Sequence, residues 1–463
     1  MTYTADQIEA EKLLKIWKEK DYETDDDLFF TLNGAAGTGK STIVDLFLQN
    51  LGIRPADVAV TAPTHKAKKE IENKTNYRGN TIQKLLGLRP NVNVEKFDIN
   101  KPQFDPLGKD QIEYYKYIII DEASMLNKDI YELIKNKAIK YDVRILFLGD
   151  ELQLPPIGEK ISKVFSEVLH KATLTTVVRQ AKDNPMTAIL QLLRDDVRNG
   201  TDNGINAMLE NQSILFEDKG FMCLQKDKSD IHQSFGDELL LKFYSSEYGE
   251  DTNFMKFISY TNKNVEQWNI GIRTKMLHEK ADNILNVGEW LLGYNTITES
   301  KTNTLLVENS EDYKVVELVP DASSVGIQGF QVTIENSKGF INTVFVVDHN
   351  DPVNLKAFKD EFLLKLNTAK AKRGAFWRHY FQFKERHLLM INLYYDENKT
   401  SLMCKKDLFY NYGLTVHKSQ GSTYENVAVN LIDLYRNRDI SERNRLIYVA
   451  LSRSKKLNLI LVR

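Results

Sequence analysis

Residues 28–50 read LFFTLNGAAGTGKSTIVDLFLQN, and the rest of the chain is read outward from this stretch. Its first five residues are a short apolar run of the kind needed by a strand buried on both faces. Gly34-Ala35-Ala36-Gly37-Thr38-Gly39-Lys40-Ser41 follows, a match to G-x-x-x-x-G-K-[ST], and a helical pattern runs on from there. Strand, glycine loop and helix in that order make a phosphate cradle. Glycines let backbone N–H groups close around a phosphate, Lys40 reaches the β and γ oxygens, and the Ser41 hydroxyl is a ligand for Mg²⁺. With glycine near 7% of residues in proteins at large, a strict match arises by chance in roughly 2% of chains this long.

Similar apolar runs lie at 58–61, 117–121 and 144–148, each followed by a loop and a helix-like stretch, and a second series lies at 257–260, 427–430 and 457–462. This repeated unit predicts the α/β class, with two parallel-sheet domains. Residues 8–20 suit an amphipathic helix with Leu13, Ile16 and Trp17 inward. Residues 284–348 differ, with alternating and β-branched segments between Gly, Asn and Ser turns, as in a small antiparallel barrel inserted into the second domain. Residues 353–386 read as helical. From Lys365 to His387 there are seven Lys/Arg and one acidic residue, interleaved with Phe376, Trp377, Tyr380, Phe381 and Phe383.

The 463 residues carry 62 Lys+Arg and 64 Asp+Glu, a net charge of −2, with 42% hydrophobic and 27% charged residues. Those values exclude a disordered or fibrous chain and a wholly basic nucleic-acid coat protein, but not a local basic channel. No apolar run approaches the ~18 residues of a membrane span. The opening MTYTADQIEAEK has no basic stretch leading into an apolar one, so no secretory leader is expected. Cys223 and Cys404 have no ligand spacing, which excludes a disulfide scaffold and a cysteine-built zinc site. A cytoplasmic protein (the host's cytoplasm, for a phage product) without membrane attachment is expected.

An apolar run ends in Asp121-Glu122. Alone, such a pair reads as a solvated strand end. Downstream of a phosphate loop it reads as the pair that nucleotide hydrolysis requires, Asp121 holding Mg²⁺ through water and Glu122 orienting and deprotonating the attacking water. His65 and His417 have the chemistry of metal ligands, but no third ligand lies near either in sequence.

Six further segments stand in order: TAPTHKAKKEI (61–71), TIQKLLG (81–87), GDELQLPPIG (149–158), LTTVVRQ (174–180), YGLTVHKSQGSTYENV (412–427) and LIYVALSRSK (446–455). With these the chain resembles, over nearly its whole length, the superfamily 1 helicases of the 5′→3′ branch, the RecD/Dda type. The resemblance implies two RecA-like domains, at 1–175 and at 176–283 with 405–463. It also implies a β-hairpin pin near 88–112 and an SH3-like β-barrel with a helical tower at 284–404. It implies ATP and Mg²⁺ as cofactors and 5′→3′ unwinding driven by ATP hydrolysis. The implied partners are single-stranded DNA and its junctions with duplex, for a monomer that works beside single-strand-binding, replication or recombination proteins. Gln153 then senses the γ-phosphate, Arg179 and Arg453 contact phosphate, Gln7 reads adenine, and Gly421 belongs to the ATP site. Pro63, Thr64, His65, Thr415, His417 and Lys418 track the DNA backbone. Either Phe97, favoured by the surrounding NVEKF, or Phe104 stacks on the last base pair from the pin, or Phe97 simply packs the hairpin. The basic-aromatic run is either a nucleic-acid groove or the tower's brace, with Trp377 and Phe376 as anchors. Translocation on RNA, a non-motor P-loop ATPase and a recombination-mediating binding protein are the competing readings.

Overall fold

The computed structural model describes residues 3–63, 71–72, 77, 79–90, 104–106, 108–178, 184–225, 236–300, 302 and 304–462. Helix α1 (Ala5–Glu19) leads into β1 (Phe29–Gly34), every residue of which is buried, and the glycine loop delivers the chain to α2 (Lys40–Gln49). Strands β2 (Val58–Ala62), β3 (Gly79–Thr81), β4 (Tyr117–Ile120), β5 (Arg144–Gly149) and β6 (His170–Leu174) complete a first sheet, with α3 (Lys128–Tyr141) between β4 and β5. Its order is β3-β2-β4-β5-β1-β6 and every pairing is parallel. The carboxyl ends of β1, β4 and β5 therefore lie side by side, the crevice where open α/β sheets bind ligands.

The phase of α1 departs from expectation. Gln7, Ala10, Leu14 and Trp17 face inward, while Leu13 is half-buried and Ile16 is 52% exposed. Burying the exposed half of Ile16 would gain about 0.8–1.5 kcal/mol. That rotation would turn Leu14 out and break the bond from Trp17 Nε1 to the Asp27 carbonyl at 2.8 Å.

In the second lobe, α4 (Met186–Asn199) and α5 (Asn203–Asn211) precede β7 (Ser213–Phe216), β8 (Lys219–Gln225), β9 (Met255–Ser259) and α6 (Asn262–Leu277). After a third sheet the chain returns as β15 (Gly413–Thr415), β16 (Tyr424–Asn430), α9 (Ile440–Leu451) and β17 (Ser454–Val462). The order is β15-β9-β16-β17-β8-β7, parallel except for the edge strand β7.

The third sheet is antiparallel, ordered β13-β12-β11-β10-β14 from β10 (Trp290–Gly293), β11 (Asp312–Ala322), β12 (Gln328–Asn336), β13 (Ile341–Val347) and β14 (Leu408–Tyr410). Among the described residues its end strands do not pair with each other; Val346 bridges Leu388 instead. Strand β14 lies beyond residue 404, where the inserted segment was expected to end. Residues 408–415 read LFYNYGLT, a mostly apolar stretch that pairing divides: Leu408–Tyr410 pairs with β10 and Gly413–Thr415 with β9. Helices α7 (Pro352–Lys372) and α8 (Ala375–Arg386) form a hairpin on this sheet. Trp377, Tyr380 and Phe383 are buried in a core with Phe358, Phe362, Phe345 and Val347, and Phe376 packs at its edge. These aromatics are packing groups, not an exposed stacking surface. No helix among the described residues is long and apolar enough to cross a membrane.

Candidate active site

The glycine loop is held from two sides. Gly37 and Gly39 take φ of +83° and +87°, where an L side chain is strained. A side chain at Gly39 would also collide with the amide of Gln7. That amide is buried and docked on the loop: Nε2 donates to the Thr38 carbonyl at 2.9 Å, and Oε1 accepts the Thr4 N–H at 3.1 Å. From the far side, Val178 N–H donates to Gly37 O at 2.8 Å. Asp6 ties the two supports together, accepting from the N–H groups of Thr175 and Thr176 at 2.7 and 2.8 Å. Burial pushes its carboxyl up, but the bonds from Thr4, Thr176 and Thr175 outweigh this and hold it well below the usual carboxylate range.

Lys40 opens α2 and turns its ammonium back over the loop, donating to Gly34 O at 2.6 Å and Ala35 O at 3.0 Å. Burial lowers its pKa, opposed by the carboxylates of Asp150, Glu122 and Asp121. Strand β4 delivers the last two. Asp121 N–H donates to Thr61 O at 2.9 Å and Glu122 N–H to Asp121 Oδ1 at 2.9 Å. Glu122 sits at φ 52°, ψ 40°, a left-handed conformation that costs a non-glycine residue about 1–3 kcal/mol and clusters at functional sites.

Lys40, Ser41, Asp121, Glu122 and Gln153 line one cavity of about 700 Å³, and Gly421, Thr423 and Arg453 of the second lobe close it. Gln153 is 4% exposed, and its Oε1 has no hydrogen-bond partner among the described residues. The buried Arg453 guanidinium donates to Val449 O at 3.0 Å, Ser422 O at 3.3 Å and Ser452 Oγ at 2.9 Å. The hydroxyl of Ser41 and the carboxylate of Asp121 are hard oxygen donors that both line this cavity. That set suits Mg²⁺, which takes one or two protein ligands and completes its shell with water and phosphate. No group of three or more metal-ligating side chains occurs among the described residues, which include His417 but not His65.

Of the residues expected on the polymer, Pro63 follows β2 in a half-buried bend. Thr64, His65 and Phe97 lie outside the described residues, as does Arg179. Phe104 is 50% exposed and pairs with Pro90 in a two-residue ladder. Thr415 caps the short helix Val416–Ser419, accepting from Lys418 N–H at 3.3 Å. Burial lowers the pKa of His417. The Lys418 ammonium lies 3.6 Å from the centroid of the Tyr294 ring and has no hydrogen-bond partner among the described residues. Burial, aided by the charges of Lys406 and Lys405, pushes its pKa down from 10.5 to about 7.

The sequence reading missed what joins the lobes. Asp150, wholly buried at the end of β5, accepts from Arg194 Nη1 at 2.9 Å and from the Tyr448 hydroxyl at 2.7 Å. The available signal was an arginine set within the apolar stripe Ile189, Leu190, Leu193 and Val197 of α4.

A family model described as an AAA domain matches residues 20–218, and one described as a UvrD-like helicase C-terminal domain matches residues 410–462. The ATP-dependent DNA helicase dda of Enterobacteria phage T4 is 22% identical over 329 residues, 68% of each chain. The ATP-dependent RecD2 DNA helicase of Deinococcus radiodurans is 32% identical over 160 residues, 34% of this chain and 20% of that one. In fold, the chain is similar to the crystal structure of Bacteroides Pif1 bound to ssDNA, with TM-score 0.53, 18% identity, and coverage of 99% of this chain and 92% of that one. The first family model falls on the lobe that carries the phosphate loop and the second on the segment that brings Arg453 to it, and with these relatives they place the chain among the superfamily 1 helicases of the Pif1/RecD/Dda type.

Proposed function

We propose that this protein is an ATP-driven motor that moves 5′→3′ along single-stranded DNA and displaces the strand ahead of it. The observation that carries this reading is the single cavity shared by Lys40, Asp121 and Arg453, groups from two lobes meeting around one triphosphate-sized space. Charge that crosses a cleft only on closure couples hydrolysis to lobe motion. Ser41 and Asp121 would hold Mg²⁺, which supplies charge neutralisation at the β and γ oxygens. Gln153 and Glu122 orient the attacking water, and Glu122 takes its proton. Pro63, Thr64 and His65 on one lobe, with Thr415, His417 and Lys418 on the other, form two backbone grips that closure brings together. In this reading residues 284–404 are an inserted β-barrel and helical tower, and the tower, around 365–387, braces the pin against the barrel.

The test is strand displacement on duplexes bearing either a 5′ or a 3′ single-stranded tail, with ATP and Mg²⁺. Opening of the 5′-tailed substrate alone is expected. Opening of the 3′-tailed one alone would reverse the polarity, and hydrolysis indifferent to any polynucleotide would remove the motor. Stronger stimulation of hydrolysis by single-stranded RNA than by DNA would change the track.

Lys418 makes the grip pH-dependent. With a pKa near 7 it is about half neutral at pH 7 in the free protein, and a DNA phosphate would draw the proton back. The Kd for oligo(dT) is therefore expected to rise with pH above 7, by up to about tenfold per unit, and Lys418→Arg should flatten the slope because guanidinium stays charged. A flat wild-type profile would take Lys418 off the DNA. For folding the sign is opposite. Between pH 7 and 10.5 the unfolded chain binds the extra proton, so this group makes the fold more stable as pH rises.

A further inference from the structure

Residues 150–154 belong to the first lobe by chain connection and to the second by contact. Leu152 and Leu154 are 5% and 2% exposed and sit in the second lobe's apolar core, with Ile189, Leu193 and Ile447. The polar groups follow the same pattern. Asp150 takes the Arg194 and Tyr448 bonds described above. The carbonyls of Glu151 and Gln153 accept from Arg445 Nη1 at 2.5 and 2.8 Å, and Leu154 O accepts from Gln420 Nε2 at 3.4 Å. Toward its own lobe, among the described residues, the segment has the β5 connection and a bond from Glu151 N–H to Asn33 Oδ1 at 3.1 Å. Between these anchors lies Gln153, which lines the nucleotide cavity and whose buried Oε1 has no hydrogen-bond partner among the described residues. Helix α9 carries Arg445 and Tyr448 and runs into Arg453 two residues past its end.

We infer that Arg445 and Arg194 are positioning residues that fasten the Gln153 segment to the second lobe. Closure then sets Gln153 and Arg453 against the terminal phosphate in one movement. Neither residue lines the nucleotide cavity. The inference rests on the motor reading above, because it needs closure to be driven by the bound strand.

The experiment measures steady-state ATP hydrolysis by the full chain, with and without saturating oligo(dT), for the wild type, Arg445→Ala and Arg445→Lys. Arg445 is the right probe because its acceptors are neutral carbonyls. Removing Arg194 would leave the Asp150 charge buried without its partner and threaten folding. Arg445→Ala is expected to lower the DNA-stimulated kcat by about tenfold to a hundredfold, the scale of a 1 Å misplacement of a catalytic group. The DNA-free rate and the KM for ATP should stay within about twofold, since the open lobes do not use the linkage. Arg445→Lys, which can still donate to carbonyls, should recover most of the stimulated rate. Should Arg445→Ala not fold, Tyr448→Phe removes one hydroxyl from Asp150 and should show the same selective loss. A stimulated kcat within about twofold of wild type overturns the inference. So does an equal fall in the stimulated and DNA-free rates, the mark of a merely structural role. A wild type that DNA does not stimulate overturns the motor reading instead.

Discussion

Arg453→Ala is expected to lower ATP turnover by about three orders of magnitude, the low end of what a trans-acting arginine contributes to phosphoryl transfer. The KM for ATP should move far less. Burial and three hydrogen bonds to its own lobe, to Val449 O, Ser422 O and Ser452 Oγ, fix the guanidinium in place. Those bonds use three of its five N–H groups and leave one on each terminal nitrogen for a phosphate oxygen. Most of that charge acts when the lobes meet, so it favours the closed transition state over the ground state and shows in kcat. Arg453→Lys should recover little, because an ammonium cannot keep three fixed bonds and still present two donors. Single-turnover hydrolysis, read beside binding of a non-hydrolysable ATP analogue, separates the two effects. A loss under about tenfold would mean that Arg453 lines the cavity without working in it.

The parallel sheets were legible because strands covered on both faces are unbroken apolar runs, as β1, β4 and β5 are. Strand β3, Gly-Asn-Thr, has no such signal and is a strand only through its ladder to β2. Strand β8 was missed too, since KGFMCLQ opens with a lysine and a glycine. In the site, the groups whose chemistry demands a local pattern were visible: the glycine loop, Asp121-Glu122, and Arg453 within its motif. The clasp on Asp150 was not, because its partners lie 44 and 298 residues away and nothing in Arg194 or Tyr448 announces a buried carboxylate. The phase of α1 failed for the same reason. A glutamine inside and an isoleucine outside make sense only once the Thr38 carbonyl is there to receive the amide.

Glu122→Gln should cut steady-state hydrolysis by about 10²–10⁴-fold, the range of a general base, and leave nucleotide-dependent DNA binding intact. The amide keeps the size of the side chain and the strained backbone at φ 52°, so the shape of the turn after β4 is preserved and only the proton acceptor is lost. Glu122→Gly provides the contrast. It relieves the backbone strain, about 1–3 kcal/mol, so it should melt at the same temperature as the wild type or higher while being as inactive as the glutamine variant. Together the two variants separate geometry from proton transfer. If Glu122→Gln kept more than about a tenth of wild-type turnover, the base would have to be another group in reach of the attacking water. Gln153 has no basicity to offer, and Asp121 already accepts the Glu122 N–H. The left-handed turn would then have to be explained by packing alone, yet Glu122 is half-buried at the cavity wall, where packing gains little from a strained residue.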